Sequence, residues 1–429
     1  MSMKLIKQRD FFLLMLGKLV SLLGSNMQQF ALSLYVLSLT GSATIFASIL
    51  SISILPRLLL SPIAGVFGDW FDRKKSIVIL DLLNFIIIGI YAVIFTLNGS
   101  LTLPMIYVLV ILLEITEIFF GSAMSAVIPS MVDKEELLDA NSFNSLVMNI
   151  GQLLAPIIGA VVYGTFGLKI VMIINSLSFL ISAISEMFIN IPEKHKKPES
   201  ISIKAFKKDL LEGINIIKSN KFISTMISLG TIINFVIAPI FSIGLIFIIK
   251  EVLRATDFQF GIFQMVLSSS MLLAPIFSAN YIKKINVGKL CYISFISIAL
   301  FILIMSPIPS KTILDRLDTN LIPYILMLII SFMVGIFATI ANIAMGTIFN
   351  QVTPIELMGR TSTVFNLAVT VFIPVGQMLF GYLYDIISPS YVMAISGIIL
   401  IFAIRKYKNA LTEVDEQKEE IKGDVINEV

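Results

Sequence analysis

Apolar runs, each about the 20 residues that a bilayer core requires, recur along the chain with short polar turns between them. They lie near residues 11–37, 43–67, 76–97, 104–131, 140–163, 169–191, 221–249, 258–282, 289–307, 322–350, 361–385 and 391–405. The pattern predicts an all-α integral membrane protein of twelve helices. Between the sixth and seventh runs lies the one sizeable internal polar segment, Pro192 to Asn220. It divides the chain into a six-helix bundle over 1–191, a connector over 192–220 and a second six-helix bundle over 221–405. In the connector, Ile203, Phe206, Leu210, Leu211, Ile214 and Ile217 fall at helical spacing with Lys204, Lys207 and Lys208 between them. That pattern suits an amphipathic helix at the membrane surface. The remainder, 406–429, turns acidic and is expected to be a disordered tail.

Composition removes the soluble alternatives. The 429 residues are 57% hydrophobic and 14% charged, with a mean hydropathy of +0.95. No soluble domain of this size buries such a fraction. A net charge of +3 is too small to suggest a nucleic-acid partner. Cys291 is the single cysteine and His195 the single histidine, so neither a disulfide within the chain nor a Cys/His metal site is expected. Charge also orients the bundle. Lys and Arg concentrate on the side of the N-terminus, whereas the opposite loops hold only Lys169, Lys250, Arg254, Lys311 and Arg316. By the positive-inside rule both termini and the connector are expected in the cytoplasm of a multi-pass plasma-membrane protein.

The charged turn Gly65-Val66-Phe67-Gly68-Asp69-Trp70-Phe71-Asp72-Arg73-Lys74-Lys75 separates the second and third runs. Its spacing is narrower than a generic basic loop requires. The halves also echo each other: Val132-x-x-x-Glu136-Leu137-Leu138 returns as Val352-x-x-x-Glu356-Leu357-Met358, Gly159 answers to Gly381, and Pro62 to Pro275. The charged turn is repeated poorly, as Tyr281-Ile-Lys283-Lys284-Ile-Asn286-Val-Gly288-Lys289. Parallel six-span repeats of this kind suit a transporter whose halves rock about a central site.

On these residues the chain resembles the major facilitator superfamily of transporters over essentially its whole length. Asp69 fits the acid of that family's loop signature, usually G-x-L-A-D-R-x-G-R-R/K, and Arg73, Lys74 and Lys75 fit its basic end. Asp72 stands where many members have glycine, and Trp70 replaces a common arginine. These variants, with Leu55-Pro56-x-x-x-x-Ser61-Pro62-x-Ala64-Gly65 before them, resemble the bacterial macrolide-efflux and siderophore-export subgroup. The resemblance implies that Gly65, Asp69, Asp72, Arg73, Lys74 and Lys75 form a conformational latch. Gly151-Gln-Leu-Leu-Ala155-Pro156-Ile-Ile-Gly159-Ala160 is similar to the family's antiporter signature G-x-x-x-G-P-x-x-G-G, with alanine at two glycine positions. That likeness favours export over import.

Charges inside a membrane are expensive unless paired or water-facing, so they mark candidate coupling sites. Here they are Lys18, Arg57, Asp81, Glu114, Glu117 and Glu186, all in the first half. At a helical rise of 1.5 Å, Arg57 stands about 18 Å from Asp69 and Glu117 about 21 Å from Met131, at comparable heights. An Arg57–Glu117 pair that opens and protonates in turn is the expected coupling device, with Glu114 and Asp81 as the next candidates. Many subgroup members carry an arginine in the fourth span, where this chain has glutamates. Lys18 either lines the cavity or reaches the inner surface. Asn26, Gln28 and Gln29, with Asn149 and Gln152, form polar bands that either bind cargo or join helices. Cavity residues are thus expected at Lys18, Asn26, Gln29, Asn149 and Gln152.

There is no Walker loop, metal-ligand cluster or nucleophile elbow, so no enzymatic activity, cofactor or metal is expected. The expected partners are a small-molecule substrate, protons as coupling ion and membrane lipid, with no nucleic acid and a monomeric chain. The reading is proton-coupled export of small amphipathic, drug- or macrolide-like compounds. A siderophore, lipid or metabolite carrier on the same fold, an importer, or a non-transporting membrane receptor or scaffold are the alternatives.

Overall fold

A computed structural model describes residues 8–70, 72–133, 136–191, 221–282, 286–317, 319–352, 365 and 368–412. Among them the secondary structure is helical, without strands. The helices are α1 (Arg9–Thr40), α2 (Ala43–Trp70), α3 (Arg73–Asn98), α4 (Leu103–Met131), α5 (Leu137–Met187), α6 (Lys221–Pro239), α7 (Asp257–Ile282), α8 (Val287–Met305), α9 (Lys311–Leu314), α10 (Leu321–Val352), α11 (Ile373–Ile386), α12 (Pro389–Lys406) and α13 (Lys408–Thr412). Ten described helices are long and apolar enough to cross a membrane, and one of these, running Asp139–Met187, is long enough for two spans. It bends at Gly167, whose φ of 73° and ψ of −179° are non-helical, at the expected break between the fifth and sixth spans. The shorter apolar stretch Ala43–Arg57 in α2 accounts for the remaining expected span. The connector, residues 413–429 and the Glu356–Met358 repeat lie outside the described residues. Residues 406–412, placed in the tail by the sequence pattern, instead end α12 and form α13, which packs on α8 with Leu411 buried because its apolar side chains find cover there.

Local chemistry sets the helix ends. Gly41 and Gly99 take the left-handed conformation (φ 61° and 74°) and send their N–H groups back to Leu37 and Phe95 carbonyls, closing α1 and α3. Asp72 opens α3 by accepting the Lys75 N–H at 3.0 Å. Asn286 opens α8 in the same manner, accepting from Gly288 and Lys289. The charged turn therefore repeats as a cap where it fails to repeat as charge. Beyond Pro239, α6 continues through π-helical turns at Ile240–Gly244 and Ile248–Val252. Gly244 there leaves room for the Tyr384 ring, against which a Cβ would collide.

Contacts group the described residues into two units. The first takes those within 1–41, 49–202 and 257–265, and the second those within 42–48, 203–256 and 266–429. In the first unit α1 and α3 both pack chiefly on α5. Its core includes Phe11, Leu14, Ile77, Ala123, Val127 and Ala140. In the second unit α8 packs on α10 and α12, and α6 on α11. The second unit also takes the first turn of α2. Asp385, near the end of α11, accepts hydrogen bonds from Ser42 Oγ (2.7 Å), Ala43 N (2.7 Å), Thr44 N (3.0 Å) and Thr44 Oγ1 (2.5 Å). This carboxylate caps a helix that begins more than three hundred positions earlier in the chain.

Candidate functional site

The intramembrane charges of the first unit converge. Arg57 of α2 directs both Nε and Nη2 at one oxygen of Glu114 in α4, each at 2.7 Å. The Arg57 side chain is 59% accessible and that of Glu114 15%. The direct partner of Arg57 at this distance is thus Glu114, one turn from the expected Glu117. Glu117 lies within electrostatic range of Glu114, Arg57 and Lys18. Its side chain is exposed, midway along α4. Lys18 of α1 is half-buried and donates to Asn144 Oδ1 at 2.7 Å. It therefore engages α5 inside the unit.

The polar bands divide. Gln28 Oε1 accepts from Asn175 Nδ2 at 2.8 Å in a fully buried pair that joins α1 to the second part of α5. Asn26 Nδ2 is buried without a hydrogen-bond partner. Gln29, Asn149 and Gln152 are exposed. The antiporter-like residues form the surface by which α5 meets α1. A Cβ on Gly151 would lie 2.5 Å from Leu22 Cδ2, and one on Gly159 3.0 Å from Phe30 Cδ1. Ala155 is fully buried and Pro156 lies inside the helix. On the same helix Ala160 meets Gly261 of α7.

The charged turn is only partly described. Gly65 and Asp69 lie on the last turns of α2, and their side chains are outside the described set. Asp72 is the cap of α3 and pairs with Lys75 Nζ at 3.3 Å. Partial burial pushes its carboxyl up, but the Lys75 and Lys74 N–H groups and the Lys75 ammonium outweigh this and hold it below the ordinary 3.8. Lys74 Nζ donates to the Met187 carbonyl at 2.8 Å, capping the end of α5. Arg73 Nε is buried without a hydrogen-bond partner.

Two buried acids go beyond the roles read from the sequence, where Asp81 is a reserve coupling group and Glu186 has no assigned part. Asp81 of α3 and Glu186 of α5 are both 0% exposed. Their oxygens have no hydrogen-bond partner among the described residues. A second buried link, Thr116 Oγ1 to Asn84 Oδ1 at 2.5 Å, ties α4 to α3. The available signal was spacing: Ser182 and Glu186 share one face of α5, and Asp81 and Asn84 one face of α3.

The sequence profile of the Major Facilitator Superfamily matches residues 14–332. The chain belongs to that superfamily. It is therefore a multi-pass, all-helical membrane transporter, the fold class expected from the sequence. Macrolide efflux protein A of Streptococcus pyogenes is 23% identical over 396 residues, covering 91% of this chain and 93% of that protein. The MFS-type transporter YkuC of Bacillus subtilis, itself uncharacterized, is 24% identical and covers 98% and 96%. Among solved structures, that of the nucleoside transporter NupG matches with a TM-score of 0.73 at 12% identity, over 93% of this chain and 98% of that one. At that identity the likeness concerns the fold alone.

Proposed function

We propose that this superfamily member exports small amphipathic compounds of the macrolide and drug-like class, by proton antiport through alternating access. The observation that carries the reading is the Arg57–Glu114 ion pair at mid-span, with Glu117 in electrostatic range of both. A movement of α2 against α4 would carry the Arg57 cation out of range of Glu117, the coupling carboxyl in this reading. A carboxylate so stranded takes up a proton, and re-pairing releases it. Cargo entering the cleft beside Glu117 would displace that proton. Lys18, Asn26, Gln29, Asn149 and Gln152 are the polar groups proposed to meet cargo. The efflux relatives support the direction of transport. In the same reading Asp69 and Arg73 switch the transporter between states, both termini face the cytoplasm of the plasma membrane, and the chain works as a monomer.

The test uses everted membrane vesicles energised with an imposed proton gradient. Wild-type protein is expected to accumulate a labelled macrolide or a cationic dye and to lose it on addition of a protonophore. Glu117→Gln is expected to abolish the accumulation at unchanged expression. Retained gradient-driven uptake in that variant would place the coupling elsewhere, and gradient-independent uptake by the wild type would remove proton antiport.

A further inference from the structure

Asp81 and Glu186 stand outside the coupling scheme above, and their surroundings give them a chemistry of their own. Asp81 lies eight residues past Arg73, about 12 Å into α3. Glu186 is the penultimate residue of α5. The two helix segments run antiparallel, because Lys74 Nζ reaches the Met187 carbonyl and Ser176 Oγ reaches the Phe85 carbonyl, both at 2.8 Å. That register brings Asp81 level with residue 180 of α5, within a turn of Ser182 and within electrostatic range of Glu186. Ser182 is 0% exposed, and its hydroxyl lies beside Asp81 within reach of the carboxyl. Five buried oxygens from three side chains thus lie together, with the Ser182 hydroxyl as the neighbouring donor to Asp81.

The groups facing this pocket do not neutralise it. From α4, Glu117 lies within electrostatic range of Asp81 and carries the same sign. From α1, Lys18 faces Glu117, and its ammonium is held by Asn144. Lys74, at the start of α3, is held by the Met187 carbonyl. Neither Asp81 nor Glu186 has an ion-pair partner among the described residues. A polar group buried without a partner is strongly unfavourable, and a buried carboxylate without a cation still more so. Protonation removes the penalty. A carboxylic acid can donate its hydrogen to a facing carboxylate, and a serine hydroxyl can donate to the same acceptor.

We propose that Asp81 and Glu186 form a shared-proton site, in which the acid O–H of one donates to a carboxylate oxygen of the other with Ser182 as the third member. The inference rests on the antiport reading only for its use. A proton leaving the Glu117 carboxyl binds an Asp81 oxygen and leaves Glu117 as carboxylate; from Asp81 it passes to Glu186. The pair thereby stores a proton between the exposed Glu117 and the helix ends at Lys74 and Met187.

Infrared spectroscopy of the purified full-length protein in lipid vesicles, in H2O and D2O, tests the site without any cargo. The wild type is expected to show the C=O stretch of a buried protonated carboxyl at neutral pH, shifted down in D2O and indifferent to added sodium. Glu117→Gln should retain this band, Asp81→Asn and Glu186→Gln should each displace it, and Asp81→Asn/Glu186→Gln should lose it. A wild-type spectrum without the band would overturn the proposal and depends on no variant folding. A band kept whole in the double variant, or abolished by sodium, would overturn it too. A band present in a protein whose vesicle transport ignores the proton gradient would leave the site standing and remove antiport alone.

Discussion

Asp72 and Lys74 illustrate how a residue with a family-scale expectation acquires a local duty. Asp72 accepts the Lys75 N–H at the start of α3, and Lys74 satisfies the Met187 carbonyl at the end of α5. Asp72→Ala is expected to lower stability by about 1 kcal/mol, read as a lower thermal midpoint in detergent. Asp72→Asn should retain most of it, because Asn286 performs the same cap on α8. The pH dependence follows from the direction of the shift. The folded carboxyl is held below its ordinary 3.8, so its contribution is complete above that value and fades as pH falls through the lower folded value. Acid titration of the wild type should therefore show a small loss below that ordinary value which Asp72→Asn lacks, small because the group is only partly buried and is screened by solvent. The sequence made the acid and the cations visible, but not whom Lys74 meets. Its partner is a backbone carbonyl more than a hundred residues away, and a carbonyl has no signature in the sequence.

At the scale of the helix, the apolar runs were legible because bilayer thickness fixes their length, and α3, α4 and α8 follow their expected spans within a few residues. The join of two spans at Gly167 was legible as a boundary, since a short turn parts the two runs. The partners of the ionic groups were less so. Arg57 meets Glu114 where Glu117 was expected, because residues three apart lie on nearly one face and a long side chain can choose either. Helix crossings were not legible, because a glycine needed for close approach looks like any other. Two substitutions separate these cases. A Cβ on Gly376 would lie 2.6 Å from the Phe235 carbonyl oxygen, a backbone atom that cannot retreat. Gly376→Ala is expected to cost about 1–3 kcal/mol, measured as a loss of folded yield and thermal midpoint. At Gly121 in α4 an added methyl group would meet nothing within 4 Å, so Gly121→Ala should be neutral or stabilise by up to about 1 kcal/mol.

At the scale of the molecule, the chain order and the contact order differ. The sequence divides at its polar connector, yet residues 42–48 group with the second unit and 257–265 with the first. Small residues make both exchanges possible: Gly381 admits Ala47 in the second unit, and Gly261 admits Ala160 in the first. Ionic chemistry is not shared in the same way. Lys18, Arg57, Asp81, Glu114, Glu117 and Glu186 all belong to the first unit, while Asp385 of the second is engaged in capping. That last contact has a consequence for how the protein opens. The amides of Ala43 and Thr44 hang on a carboxylate at the far end of α11, so fraying of that helix end must release them. In hydrogen–deuterium exchange the peptide covering 42–45 and the one covering 383–387 are expected to gain deuterium with one common rate. Asp385→Asn should split that rate in two, speeding the first peptide more than the second. Unchanged, independent rates in the wild type would mean that the two ends open separately.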